Sequence, residues 1–197
     1  MDKERFERQL EFILEADKEK NIFRQTPIGG MIRRENDAEH AWHMAMMIYL
    51  LKEYANEEFD VARAMMMALI HDIVEIDAGD TYAYDDKGVE SQREREAVAA
   101  ERIFGILPPD QKEEMLSLFS EFDEAHTPEA KFARAMDNFQ PILLNNSNGG
   151  GDWLEHKVDR THVYARHMRT KEGSSDIWNK SKEIIDEYIK RGIIDDK

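Results

Sequence analysis

The sequence predicts an all-α fold, with about six or more helices in one compact domain. Apolar residues recur at intervals of three and four along most of the chain, which is the spacing of one helix face. No stretch shows the two-residue alternation of a half-buried strand. Charged residues make up 35% of the chain, which is typical of long helices with a solvent-facing side. A chain of 197 residues is long enough to bury a real core as a single domain over 1–197.

The first half of the chain contains three predicted helices separated by polar connectors. The first covers residues 4–20, and the second begins where Asn36 and Glu39 form a variant of the capping box. Asp60 can cap the third. The expected core faces, in order, are Phe6, Leu10, Ile13 and Leu14; Trp42, Ala45, Met46, Tyr49 and Leu50; and Val61, Met65, Leu69, Ile73 and Ile76.

The second half contains further helices between loops that are rich in glycine. A loop is expected over 78–90, then a helix over about 90–104 and another that begins at the segment LPPD. Thr127 and Pro128 are an N-cap and first-turn pair, which predicts a helix beginning there. A second loop is expected over 145–152, and a last helix follows. The apolar residues that define these helices are Met115, Leu118, Phe119 and Phe122; Phe132, Met136 and Phe139; and Ile177, Trp178, Ile184, Ile185, Tyr188 and Ile189.

The charge balance excludes some classes of partner. Lys and Arg total 27 against 42 Asp and Glu, a formal charge of −15. Such a surface repels phosphate backbones, so polymeric nucleic acid and anionic membranes are poor candidates, although a metal or a few arginines can still attract a small anion. There is no cysteine, hence no thiolate ligand. The charged N-terminus and the lack of a long apolar run predict a cytoplasmic protein.

Acidic residues occur where the third predicted helix should be closing. Asp72 falls on the apolar stripe of that helix, beside His71. A buried carboxylate must be neutralised by a proton, a basic side chain or a metal. No Lys or Arg occurs between Arg63 and Lys87, so the cation has to come from elsewhere, and a metal shared with His71 is the economical solution. The acidic and imidazole residues of the segment 68–80 are His71, Asp72, Glu75, Asp77 and Asp80.

Two more ligands of the imidazole and carboxylate type are available on other helices. His40 lies in the first turn of the second helix, and Asp137 adjoins the apolar stripe of the helix that follows Thr127. Each has a simpler interpretation alone, since His40 could be a hydrogen-bonded histidine and Asp137 a partner of Arg134. Together with His71 and Asp72 they favour a mixed nitrogen and oxygen metal site.

Other metal architectures fit less well. The zinc-protease motif H-E-x-x-H is absent. No histidine has a glutamate three residues before it, so the paired motif of di-iron bundles is absent too. The remaining histidines are expected to be structural or exposed, and they are His43, His126, His156, His162 and His167.

The arrangement resembles the HD-domain superfamily of metal-dependent phosphohydrolases over roughly residues 8–190. The superfamily pattern is a histidine, a His-Asp pair and a distant aspartate, which correspond to His40 in NDAEHAWHMA, His71-Asp72 in LIHDIVEIDAGD and Asp137 in AMDNFQP. The 5′-deoxynucleotidase-like branch adds H-D-x-x-E-x-x-x-G-D, which this chain contains from His71 to Asp80. The resemblance implies a compact helical HD-domain fold.

The same resemblance implies hydrolysis of the phosphomonoester of (deoxy)nucleoside 5′-monophosphates. It implies one divalent cation, Mn²⁺, Co²⁺, Zn²⁺, Fe²⁺ or Mg²⁺, and a homodimer. Glu75 is then expected to act on the attacking water and Asp80 on a proton or the sugar. Arg24 and Arg33 are the candidates for gripping the phosphate, while Tyr82 and Tyr84 could cover the base.

Two other functions are compatible with the same residues. An HD-type di-iron oxygenase needs further histidine ligands, which this motif lacks. A non-catalytic binding or regulatory module would use the metal only for stability, but such a site has no need of a positioned base at Glu75.

Overall fold

The computed structural model describes residues 2–30, 32–80 and 86–197, with side chains omitted for 86–91. Short 3₁₀ turns cover Asp17–Asn21 and Lys52–Tyr54. The strands are β1 (Phe23–Pro27) and β2 (Arg34–Asn36). The helices are α1 (Lys3–Ala16), α2 (Asp37–Leu51), α3 (Val61–Ile70), α4 (Glu75–Ala78), α5 (Asp86–Phe104), α6 (Pro109–Glu124), α7 (Pro128–Ser147), α8 (Gly151–His156), α9 (Arg160–His167), α10 (Thr170–Gly173) and α11 (Ser175–Lys190).

The predicted all-α class is confirmed, with one small addition. Strands β1 and β2 form an antiparallel pair that places Phe23 opposite Asn36 and Pro27 opposite Arg34, with an irregularity between these two pairs. The predicted polar connector contains this hairpin, which is too short and too polar to show alternation. The hairpin holds Arg24 beside the first turn of α2.

Helix α7 is the centre of the fold. It packs against α2 and α3 on one side and against α10 and α11 on another, and it also contacts α6, α8, α9 and β1. Both α2 and α3 contact α7, so side chains from these three helices can meet beside it. Its buried apolar residues are Ala130, Phe132, Ala133, Ala135, Met136, Phe139 and Ile142.

The predicted core faces of α1 and α2 are wrong except at Ala45, which is buried. In α2 the side chains of Trp42, Met46, Tyr49 and Leu50 are 41–62% exposed, and in α1 Phe6, Leu10, Ile13 and Leu14 are also exposed. Helix α2 is apolar on two faces, so periodicity alone could not choose between them. The face that enters the core carries His40, Ala41, Met44, Ala45, Met47 and Ile48.

Helix α3 ends at Ile70, earlier than the apolar stripe predicted. Residues 71–74 form turns, and α4 begins at Glu75. The buried face of α3 is Ala64, Met67 and Ala68, whereas Leu69 is exposed. His71 and Asp72 therefore lie in a turn at the end of a core helix. Gly79 closes α4 with φ +75°, a backbone conformation that favours glycine.

The predicted helix beginnings are confirmed where a cap marks them. Asn36 and Glu39 form the full capping box, and Asp60 and Thr127 each accept a backbone N–H in the first turn of α3 and α7. The expected loops are shorter than predicted, because α5 begins at Asp86 and α7 continues to Ser147. Within the described ranges, no helix combines the length and apolar character that a bilayer crossing requires.

Candidate metal centre

Four side chains from α2, α7 and the turn after α3 meet in the interior. Asp137 Oδ1 lies 3.3 Å from His40 Nε2 and 3.9 Å from His71 Nε2. Asp72 Oδ2 lies 3.0 Å from His71 Nε2 and 3.9 Å from His40 Nε2. All four residues are buried. The structure thus brings together His40, His71, Asp72 and Asp137, which lie far apart in the sequence.

Both imidazole rings present Nε2 to this cluster. His71 Nδ1 lies 2.9 Å from the carbonyl oxygen of Ala68, so that the N–H of this ring is held by the backbone and Nε2 keeps its lone pair. His40 Nδ1 lies 3.6 Å from Glu35 Oε2, and Gln140 donates its amide to the other oxygen of Glu35. Outer partners of this kind fix the ring orientation that metal ligation requires.

The donor set fits a divalent cation. Two imidazole nitrogens and two carboxylates suit several divalent metals. Although Asp72 is only 3.0 Å away, His71 Nε2 has no hydrogen-bond partner among the described residues. Burial and the nearby Arg24 oppose charge on His40, yet its contacts with the carboxylates of Asp137 and Glu35 raise its pKa to about 9. The carboxylates therefore attract a cation to the position that His40 faces.

Pro141 interrupts the backbone hydrogen bonds of α7 beside this cluster. It lies inside the helix and has no N–H to donate to the carbonyl four residues earlier, which is that of Asp137. Burial opposes charge on Asp137, but hydrogen bonding to His40 and the charges of His71 and Arg166 hold the pKa of Asp137 well below the usual range.

A second group of acids surrounds Arg24. The carboxylates of Asp37, Glu75 and Asp80 approach one another within 4.8 Å. Arg24 Nη1 lies 2.6 Å from Asp72 Oδ2 and 3.3 Å from Asp37 Oδ1, so Arg24 supplies the cation from elsewhere in the sequence that Asp72 requires. Burial and then the charge of Asp72 raise the pKa of Glu75 well above its usual value.

A cavity of about 640 Å³ opens onto these groups. Its described lining includes His71, Asp72, Asp137, Glu75, Asp80 and Arg24, whereas His40 is fully buried behind it. The volume is in the range of small-molecule sites. A small molecule in this cavity can therefore approach His71, Asp72 and Asp137 as well as Glu75.

Among the other predicted substrate-binding residues, the structure describes Arg33 alone. Arg33 is at the surface, where both carboxylate oxygens of Glu39 accept from its guanidinium at 2.7 and 2.5 Å. The predicted base-covering residues Tyr82 and Tyr84 fall outside the described part of the chain. The substrate role of Arg33 thus lacks a contact that would support it.

Sequence reasoning missed several residues of the site. Asp37 lies in the first turn of a helix, where acids are common because they favour the helix dipole, so its position gives no functional signal. Burial and then the charge of Asp72 raise the pKa of Asp37 to about 7. Arg166 on α9 has no sequence signal, whereas the sequence already offered Arg134, three positions before Asp137, as a partner of that carboxylate but not as a residue of the site. Both arginines line the cavity.

Comparison with protein families identifies the fold. The model described as HD domain matches residues 16–178, which is most of the chain. The chain belongs to the HD domain family. This confirms the resemblance drawn from His40, the His71-Asp72 pair and Asp137.

Several known HD domain proteins are similar to this chain. Human 5′-deoxynucleotidase HDDC2 is 30% identical over 128 residues, which cover 65% of this chain and 60% of that protein. The Schizosaccharomyces pombe 5′-deoxynucleotidase hdd1 is 31% identical over 118 residues, covering 57% and 58%. The matched region thus spans about 60% of the length of these curated relatives.

Solved structures agree with the HD domain assignment. A protein from Magnetospirillum magnetotacticum MS-1, described as a predicted metal-dependent phosphohydrolase, is 45% identical, with a TM-score of 0.92 over 96% of this chain and 95% of that one. An HD-domain phosphohydrolase from Listeria innocua is 16% identical, with a TM-score of 0.59 over 92% and 85%, and shares the fold alone.

Proposed function

We propose that this HD domain protein is a metal-dependent phosphohydrolase that releases phosphate from (deoxy)nucleoside 5′-monophosphates. The observation that carries the proposal is the meeting of His40, His71, Asp72 and Asp137 beside Glu75, in a cavity of about 640 Å³. The curated relatives named 5′-deoxynucleotidase and the metal-dependent phosphohydrolase from Magnetospirillum support the same reaction class.

Each part of the site has a task in phosphomonoester hydrolysis. His40, His71, Asp72 and Asp137 would hold a divalent cation, which would supply Lewis-acid activation of the phosphoryl group. Glu75 lies in the cavity wall, where its carboxylate accepts a proton from the attacking water. Asp80 lines the same cavity beyond Gly79 and is placed to return a proton to the leaving sugar oxygen or to bind the sugar hydroxyls.

Phosphate release from a nucleotide panel tests this function. Protein loaded separately with Mn²⁺, Co²⁺, Zn²⁺, Fe²⁺ or Mg²⁺ is incubated with ribose and deoxyribose 5′-monophosphates, and 3′-monophosphates serve as controls for position. We expect release from the 5′-esters with at least one metal. The proposal fails if no metal supports turnover although the metal binds and Asp72→Ala unfolds the protein, since the site is then structural.

The exposed apolar face of α2 supports the homodimer that the resemblance implies. The exposed apolar residues lie at positions i, i+4, i+7 and i+8 of the helix, so they share one face; they are Trp42, Met46, Tyr49 and Leu50. A contiguous exposed stripe of this kind is typical of an interaction surface. We therefore propose that two copies pair through α2.

The core cluster joins residues of α2, α3, α5, α7 and α11, which supports a single domain over 1–197.

The double substitution Trp42→Glu and Tyr49→Lys is expected to convert a dimer into a monomer, because it places charges in a surface that the partner would bury. Light scattering coupled to size-exclusion chromatography measures the change. Leu154→Glu is the control, since Leu154 is an exposed apolar residue of a different helix, α8. A wild-type protein that is monomeric at micromolar concentration contradicts the proposal.

A further inference from the structure

Two arginines at the cavity have hydrogen-bonding capacity that the fold does not use. Arg134 Nη1 on α7 and Arg166 Nη2 on α9 each lie 3.9 Å from Asp137 Oδ2, which is too long for a hydrogen bond. Neither guanidinium donates a hydrogen bond to any residue in the described part of the chain. Their side chains are 30% and 40% exposed, so both are accessible from the cavity.

Arg24 is in the opposite situation. Its Nη1 donates to Asp72 and Asp37, and the charges of Glu75 and Asp80 also act on it. Its positive charge is therefore balanced within the protein by several carboxylates. An incoming phosphate dianion meets a wall of acids on this side, and further cations are needed to attract it.

Asp137 lies between the other proposed metal ligands and the two arginines. Its Oδ1 faces His40 and His71, and its Oδ2 faces Arg134 and Arg166. A phosphoryl group that enters beside Asp137 is therefore within reach of the metal ligands and of both guanidinium groups. Arg134 is held in place, since its guanidinium lies 4.9 Å from the ring centroid of Phe122, which also lines the cavity.

The basic character continues outside the cavity. Arg134 and Arg166 also line an adjoining groove of about 260 Å³, together with Lys131 and Arg169. The chain as a whole has a formal charge of −15. Arg169 and Lys131 are partly balanced there, since Arg169 pairs with Glu172 at 3.4 Å and Lys131 pairs with Glu57 at 3.7 Å. Arg134 and Arg166 are therefore the cations of this groove that are best placed to attract a small anion.

We propose that Arg134 and Arg166 form a clamp that binds the phosphate group of the substrate beside Asp137; the inference rests on the proposed phosphohydrolase function. Two guanidinium groups present paired N–H donors, which match the several oxygens of a phosphomonoester dianion. A phosphodiester has only two free oxygens and one charge, so the clamp favours monoesters. The substrate class is therefore a terminal phosphate, held by arginines on the α7 and α9 side of the cavity.

Binding of inorganic phosphate to metal-loaded protein tests the clamp without turnover. Isothermal titration of wild type, Arg134→Gln and Arg166→Gln measures the phosphate Kd, and a separate titration measures metal affinity. We expect each variant to bind phosphate about 10- to 100-fold more weakly, the range expected for lost charge-assisted hydrogen bonds. Metal affinity should stay unchanged. Arg166→Lys should recover only part of the loss, because an ammonium cannot bind two oxygens in a fork.

Arg160→Gln is the matched control. Arg160 lies on the same helix as Arg166, is exposed, and pairs with Asp196 at 2.9 Å, so its replacement should leave the phosphate Kd unchanged. The clamp is overturned if wild type binds no phosphate, if both glutamine variants bind it within twofold of wild type, or if metal affinity falls in parallel.

The clamp and the proposed function can fail separately. Loss of phosphate affinity in the arginine variants, without hydrolysis of any nucleotide by wild type, supports the clamp and refutes the nucleotidase. Nucleotide hydrolysis with an unchanged KM in both arginine variants supports the nucleotidase and refutes the clamp. A raised KM with a smaller change in kcat supports both.

Discussion

Asp137→Asn is expected to remove metal binding and nearly all phosphate release. Asp137 Oδ1 lies within 3.9 Å of both His40 Nε2 and His71 Nε2, so its carboxylate completes the ligand group. The neutral amide keeps the shape of the side chain but removes one negative charge from the ligand group. Loss of an outer-shell partner already lowers metal affinity about 10- to 100-fold, so loss of a direct ligand should cost at least about 100-fold.

The activity should fall further than the metal affinity. Lewis-acid stabilisation contributes several kcal/mol to the barrier, and each 1.36 kcal/mol is tenfold in rate, which gives a loss of about 10³-fold in phosphate release. Metal affinity is measured by titration, and thermal unfolding is followed with and without metal. In wild type, metal at 100 times its Kd should add about 2.7 kcal/mol of stability, and this gain should disappear in the variant.

Asp110→Asn provides the control for this loss. Asp110 is an exposed carboxylate at the start of α6 that pairs with Arg5 at 2.6 Å, so its replacement should change neither metal affinity nor activity. An Asp137→Asn protein that binds metal with wild-type affinity excludes Asp137 from the ligand group.

Glu75→Gln is expected to lower phosphate release about 10²- to 10⁴-fold, which is the range for removal of a general base. The metal should stay bound. Glu75 is buried in the cavity wall, and Oε2 has no hydrogen-bond partner among the described residues. Glutamine has the same shape but cannot accept the proton of the attacking water. The measurement is kcat under metal saturation, with metal affinity determined by titration.

The same substitution is expected to stabilise the metal-free protein at neutral pH. Burial and the charges of Asp72 and Asp37 raise the pKa of Glu75, so the fold disfavours its ionised form. A carboxyl group with a raised pKa in the native state costs stability as the pH rises above the pKa that the group has in the unfolded chain. Glutamine does not ionise, so the variant avoids this cost. Urea unfolding of both proteins with a chelator present measures the difference.

Asp77→Asn is the matched control for Glu75, since both residues lie on α4. Asp77 looked unassigned in the sequence, and the structure pairs it with Arg102, whose Nη2 lies 2.9 Å from Oδ1. We expect full activity in this variant. If Glu75→Gln retains activity within threefold of wild type, Glu75 is not the base.

Local sequence signals determined the helix beginnings and the residue types of the site. The capping box of Asn36 and Glu39 and the Thr127-Pro128 pair act through backbone N–H groups within one turn, so neighbouring residues are sufficient to predict them. Asp72 next to His71, in an apolar segment without a nearby basic residue, predicted that a cation must meet it. These inferences need no knowledge of which helices pack together.

Tertiary packing decided what the sequence left open. Periodicity chose the wrong face of α2, since Trp42 and Ala41 are both apolar and only contact with α3 and α7 determines which is buried. Arg24, which is a cation beside Asp72, lies 48 positions earlier in the sequence. Arg166 approaches Asp137 from a different helix. The chemistry that the chain requires is encoded in residue type and short-range spacing. Distances between side chains far apart in sequence depend on how the helices pack, so only the folded structure could show them.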